Sequence, residues 1–123
     1  MKRIVPVVAL GAALMAAGTT LAATPTYKGT VGPGFTISMA SKPTKAGKIT
    51  LTVSDKAGSH NFHLRGPGGK EVSAVKNGKT VKTVDTGVGS TGTTSFTVTL
   101  KAGKYTFVCD PHSSAMKGSF TVK

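Results

Sequence analysis

From residue 35 onward the chain consists of short runs in which apolar and polar side chains alternate. Phe35, Ile37 and Met39 share a parity, as do Ile49, Leu51 and Val53, then Phe62 and Leu64. The pattern returns at Phe96, Val98 and Leu100, at Tyr105, Phe107 and Cys109, and at Phe120 and Val122. A period of two puts one face of each run on a core and the other in water, the signature of half-buried strands. Gly32-Pro33-Gly34, Lys45-Ala46-Gly47, Ala57-Gly58, Gly66-Pro67-Gly68-Gly69, Asn77-Gly78 and Lys101-Ala102-Gly103 punctuate the runs with turn chemistry. No apolar stripe of helical period persists after residue 23. The alternation therefore predicts an all-β antiparallel sandwich or barrel. Composition agrees: residues 24–123 hold 17 Thr, a β-branched residue suited to a pleated sheet, and 14 Gly.

Residues 65–95 are less specified. They carry Val72, Val75, Val81, Val84 and Val88 but no aromatic side chain, and predict two or three weak edge strands with long loops. Lys70, Lys76, Lys79 and Lys82 suit such edges, because charge discourages edge-to-edge pairing. The string Lys-Ala-Gly-Lys occurs at 45–48 and again at 101–104, each time opening a run. We read it as one turn chemistry used twice, since two copies do not make a repeat architecture.

The first 23 residues have a different character. Met1-Lys2-Arg3 is basic, Ile4 to Ala17 carries no charge, and Gly18 to Ala23 is made mostly of small residues. This is the layout of a secretory signal cleaved after Ala22 or Ala23; the absence of an Arg-Arg pair favours ordinary unfolded export. The domain reading is thus a leader over 1–23 and a single domain over 24–123, located in the periplasm or on the outer side of the cell envelope. Lys2 and Arg3 belong to the leader. The 100 residues after it therefore keep 14 of the 16 basic side chains and all 4 acids, a net of +10. One hundred residues make one domain with a modest core, which excludes a multidomain enzyme. A lone Cys excludes an internal disulfide framework and, outside the cytoplasm, points to a reactive or ligated thiol.

The chemistry concentrates in Cys109-Asp110-Pro111-His112-Ser113-Ser114-Ala115-Met116, which places a thiolate, an imidazole and a thioether within eight residues of a strand end. A second imidazole lies in Ser59-His60-Asn61-Phe62-His63-Leu64. Strand parity puts His60 on the core face with Phe62 and Leu64, and turns His63 outward. Cys109 shares a face with Tyr105 and Phe107. Two imidazoles and a thiolate in a plane, with a distant thioether, form the donor set of a blue-copper site: soft sulfur holds Cu(I), and imidazole suits both oxidation states. Zinc is disfavoured because thioether is not among its usual donors.

Cys-x2-His-x3-Met followed by Lys-Gly-Ser-Phe-Thr-Val resembles the C-terminal metal loop and last strand of the cupredoxins, particularly plastocyanin-like bacterial members. His60-Asn61 resembles the motif that supplies their upstream His. The resemblance covers roughly residues 35–64 and 96–123. It implies a Greek-key β-sandwich of about eight short strands. It also implies one type 1 copper held by His60, Cys109, His112 and Met116, with Asn61 behind the metal loop as the residue that pins it. The sequence departs from plastocyanins in having three residues rather than four between His112 and Met116, and in having Asp110 where Ser or Thr is more usual.

These readings converge on an exported, monomeric blue copper protein that carries single electrons and is not an enzyme. The alternative is a carrier or store that delivers or buffers copper, for which several Met or paired Cys would be more apt. The acids Asp55, Glu71, Asp85 and Asp110 offer no catalytic pair in sequence, and no stacking platform for nucleic acid is present. The basic balance implies a redox partner with an acidic docking face and possible association with an anionic envelope. Lys101, Lys104 and Lys117 flank the metal loop in sequence and are expected to border His112.

Overall fold

The computed structural model describes residues 23–123, so the leader expected over 1–23 lies, apart from Ala23, outside the described residues. Ten strands follow one another: β1 (Thr26–Val31), β2 (Ile37–Met39), β3 (Gly47–Asp55), β4 (His63–Arg65), β5 (Ala74–Lys76), β6 (Lys79–Val81), β7 (Val84–Asp85), β8 (Gly92–Leu100), β9 (Gly103–Val108) and β10 (Lys117–Val122). They form two sheets, one ordered β2-β1-β3-β8-β5-β6 and the other β10-β9-β4-β7. Every pairing between strands is antiparallel except β1 with β3. The chain leaves β1, turns back through β2 and crosses to lie parallel to β1 on its other side.

The all-β sandwich agrees with the alternation, but ten strands replace the eight or so expected. The 65–95 segment yields β5, β6 and β7 as pieces of two or three residues, the upper end of the two or three weak strands expected there. The added strand is β1, whose inward residues Tyr27, Gly29 and Val31 alternate with a glycine at the centre, which breaks the apolar signal. Phe35 is also displaced from expectation. It precedes β2 instead of joining it and is 69% exposed.

β3 and β8 pair over nine residues, from Gly47 opposite Leu100 to Asp55 opposite Gly92, and give the larger sheet its frame. Their inward residues Ile49, Leu51, Val53, Phe96, Val98 and Leu100 are buried, and meet Leu64, Val84, Tyr105, Phe107, Phe120 and Val122 from the smaller sheet. Two aromatic stacks fill the middle: Phe62 on Phe107 with centroids 5.4 Å apart, and Tyr105 on Phe120 at 5.2 Å. Glycine makes the first stack possible. A Cβ on Gly118 would run into the Phe107 ring, and one on Gly29 would stand 2.8 Å from Phe62. The stack thus fills space left by a missing side chain on β1 and another on β10. Gly47 and Gly103, the glycines of the two Lys-Ala-Gly-Lys strings, open β3 and β9 with φ of 130° and 138°, a region open to glycine and costly for other residues.

Candidate metal centre

The site forms at one end of the sandwich, where β3 and β9 finish. His60 is outside any strand, in the segment joining β3 to β4. Its backbone N–H donates to Ala57 O at 3.1 Å, and the Gly89 N–H donates to Gly58 O at 2.7 Å, which docks this segment against the loop after β7. Buried Asp55 braces it from behind. One of its oxygens accepts from the Thr86 hydroxyl at 2.9 Å, and the Thr86 oxygen in turn accepts from the Phe62 N–H at 2.8 Å.

The other donors lie on the β9–β10 connection. Cys109 N–H donates to Met116 O at 3.0 Å, His112 N–H to Cys109 O at 3.1 Å, and Met116 N–H to His112 O at 2.8 Å. Pro111 sits in a short 3-10 turn over Asp110–His112, where its missing N–H costs nothing. These bonds fold the loop so that its side chains converge beneath it. His60 Nδ1 and His112 Nδ1 are 3.1 Å apart, and Cys109 Sγ lies 3.6 Å from the first and 3.5 Å from the second. A point equidistant from these three atoms is about 2 Å from each, close to metal–imidazole and metal–thiolate bond lengths. Lone pairs brought this close repel unless a proton or a cation lies among them. Cys109 is fully buried, His60 is 3% exposed and Met116 1%, while His112 keeps partial access to solvent. The three-donor triangle, its burial and the thioether-bearing Met116, buried and paired to Cys109 through the backbone, fit a copper ion.

Residues 32–123 match the family described as copper binding proteins, plastocyanin/azurin family. The chain belongs to this family. No curated protein matches the sequence. Solved structures with similar folds include auracyanin A, a "blue" copper protein from the green thermophilic photosynthetic bacterium Chloroflexus aurantiacus. It has 17% identity and a TM-score of 0.54 over 80% of this chain and 98% of that one. Rusticyanin variants match at 24% identity and a TM-score of 0.57 over 81% of this chain and 77% of theirs. Copper is accordingly the metal of this cupredoxin; the structure brings together donor atoms of His60, Cys109 and His112, and buries Met116 with its backbone paired to Cys109.

Asn61 is 1% exposed and lies between the two ligand-bearing segments. Its Oδ1 accepts from Asp110 N–H at 2.8 Å, and its Nδ2 donates to Asp85 Oδ1 at 2.9 Å and to Asp110 Oδ2 at 2.8 Å. It therefore fastens the residue after Cys109 to the His60 segment.

Three sequence expectations need correction. His63 does not reach solvent: it is 6% exposed. It stays out of the donor triangle, with Nδ1 donating to Asp110 Oδ2 at 2.8 Å and Nε2 donating to Glu71 Oε2 at 2.7 Å. Parity turned the side chain away from the hydrophobic core, but Glu71 and Asp110 fold over it. Burial disfavours its charge, yet the hydrogen bonds to Glu71 and Asp110, and their charges, outweigh that and hold its pKa above the usual 6.5. Burial likewise raises Asp110, but bonds from Asn61 and His63, with the charges of His63 and Arg65, prevail and keep it below the usual 3.8. Second, Lys101 and Lys104 do not border the loop. They lie where β9 begins, at the far end of the sandwich, with Lys104 about 17 Å from Cys109 at strand rise, and only Lys117 stays beside Met116. Third, Phe35 is part of the site instead of the core. Its ring meets His60 edge-on at 5.4 Å and His112 at 5.0 Å. The one available signal was its place in Gly32-Pro33-Gly34-Phe35, beside turn residues rather than within an alternating run.

Proposed function

We propose that this cupredoxin is an exported one-electron carrier. The observation that carries the reading is the Nδ1–Nδ1–Sγ triangle of His60, His112 and Cys109, with His112 partly exposed and buried Met116 paired to Cys109 through the backbone. Copper supplies a one-electron couple when bound. The chain supplies the rest. Cys109 and Met116 offer soft donors, and His60 and His112 offer donors acceptable to both oxidation states. Because loop and strand ends are locked by backbone bonds, the donors need move little between the two states, which keeps the cost of transfer low. His112 and exposed Phe35 give an edge through which a partner can approach without water entering the pocket. A copper store is the weaker reading, since the described residues hold only one thiolate and two Met, and they sit in a preformed, closed site. Export is supported by the leader pattern and by a lone thiol kept fully buried.

The test is the visible spectrum of the oxidised, copper-loaded protein. Strong thiolate-to-copper absorption should colour it blue or green, bleach on reduction and vanish in Cys109→Ser. A colourless Cu(II) complex of the native chain would refute the assignment.

A further inference from the structure

The repeated Lys-Ala-Gly-Lys string plays no part in the metal site, and the topology brings its two copies together. Gly47 pairs with Leu100 at the end of the β3–β8 ladder, so the turn over 45–48 abuts the turn over 101–104. Val122 pairs with Gly103, and Lys123 N–H donates to Thr44 O at 3.0 Å, which draws the C-terminal residue into the same place. Lys45, Lys48, Lys101, Lys104 and Lys123 thus share one end of the sandwich, and all five are exposed.

The acids are elsewhere. The chain has only 4. Asp55 closes β3 at the metal end, Asp85 and Asp110 are bonded to Asn61, and Glu71 is engaged by His63 and Arg65. Among the described residues every ion pair involves Arg65 or His63, and no side-chain carboxylate pairs with a lysine of this pole.

We propose that this lysine pole is a docking surface for an anionic lipid bilayer, holding the molecule on the membrane with its metal end turned away. The inference goes beyond the electron-carrier reading and does not need the metal; the export reading enters only in placing the bilayer outside the cytoplasm. Shape selects a planar partner over a single polymer strand. Ala46 and Ala102, between the lysines of each turn, are small and exposed, so nothing bulky within the two short turns keeps their ammonium groups from a planar surface. The large apolar side chains that are exposed, Phe35, Val75 and Val88, lie outside these turns, so nothing there inserts into lipid. Attachment is electrostatic and reversible. Each lysine near an anionic surface contributes about 1 kcal/mol, roughly fivefold in affinity, within a Debye length of about 10 Å.

The experiment is co-sedimentation of the exported protein with vesicles of phosphatidylcholine containing about one-third phosphatidylglycerol, at about 0.05 M and about 0.5 M salt. Two variants of equal net charge are compared. In one, Lys45, Lys48, Lys101, Lys104 and Lys123 become Gln; in the other, Lys28, Lys42, Lys56, Lys76 and Lys117 do. Native protein should bind the anionic vesicles at low salt, not bind neutral ones, and be released at high salt. The pole variant should bind at least a hundredfold more weakly, and the control variant within about tenfold of native. A nitroxide on the lipid headgroup should broaden amide resonances of 45–48 and 101–104 and spare those of 109–116. Equal losses in both variants would reduce the effect to net charge and overturn the proposal. So would absence of vesicle binding at low salt, broadening at the metal loop, or tighter binding to soluble polyphosphate than to vesicles. A failed copper spectrum would leave this result untouched, so the two readings fail separately.

Discussion

Replacing Asn61 with Ala should cost about 3 kcal/mol of stability in the metal-free protein. The side chain is buried and makes three hydrogen bonds, one to a backbone N–H and two to carboxylates. A buried amide–amide bond contributes about 1 kcal/mol, and bonds to charged groups about 1.5–3 kcal/mol each. The carboxylates deserve a discount, because the Asp110 side chain is 40% exposed and water can replace the lost donor. About 1 kcal/mol for each of the three bonds remains. For a domain of this size that lowers Tm by roughly 10–20 °C. Urea denaturation of metal-free protein at pH 7 gives the number without the linkage that copper binding would add. Asn61→Asp serves as the diagnostic companion. It keeps the acceptor for Asp110 N–H, loses both donors and faces two carboxylates with a third, so it should be worse than Ala at pH 7 and recover toward pH 4. A loss under about 1 kcal/mol for Ala, or a pH-independent Asp variant, would show that Asn61 does not tie the loop down as argued.

Gly118→Ala should destabilise by at least about 2 kcal/mol, because the new methyl needs the space of the Phe107 ring and the stacked pair cannot yield without disturbing Phe62; near-native denaturation would refute that packing account. The His63 contacts predict a pH signature in the metal-free protein. Its raised pKa means its stabilisation is complete below about 6.5 and is lost as pH climbs through the folded value. The lowered pKa of Asp110 means its stabilisation is present above about 3.8 and is lost as pH falls through the folded value. Stability should therefore be greatest between these limits, and the difference curve against His63→Gln should isolate the alkaline loss; parallel curves would remove the ion-pair account.

Local patterns reach the segments that carry the site, whereas contacts between distant segments leave no local trace. Cys109, His112 and Met116 are legible because they lie on one hairpin connection, where spacing alone brings them together. Parity with Phe62 and Leu64 favours His60 over His63, although only residues from His63 onward are strand and all of 60–64 are buried. The failures share a cause. Phe35 meets rings 25 and 77 residues away, and His63 is covered by Glu71 and by Asp110, 47 residues on. Nothing in a period-two pattern reports what folds over the outer face of a strand. Lys101 and Lys104 were misplaced for a simpler reason: sequence proximity to Cys109 ignores that a strand of six residues carries its two ends apart. β1 leaves a weak signal because the middle of its three inward residues, Tyr27, Gly29 and Val31, is a glycine that makes room for Phe62.

The bond from Cys109 N–H to Met116 O continues the β9–β10 ladder one rung beyond Lys117 and Val108. Everything between those residues is a hairpin tip, closed by its own backbone and resting on the sandwich through Asn61. A tip of this kind can lengthen or shorten at little thermodynamic cost, since doubling a loop adds only about 0.6 kcal/mol of closure entropy. The spacing of His112 and Met116 is thus insulated from the scaffold. A lineage could retune its electrochemistry by inserting or deleting a residue among Ser113, Ser114 and Ala115 while leaving the folding problem solved. Cys109 and Met116 face each other on that closing rung and His60 is held by the scaffold, so such drift would move His112 relative to the other three side chains.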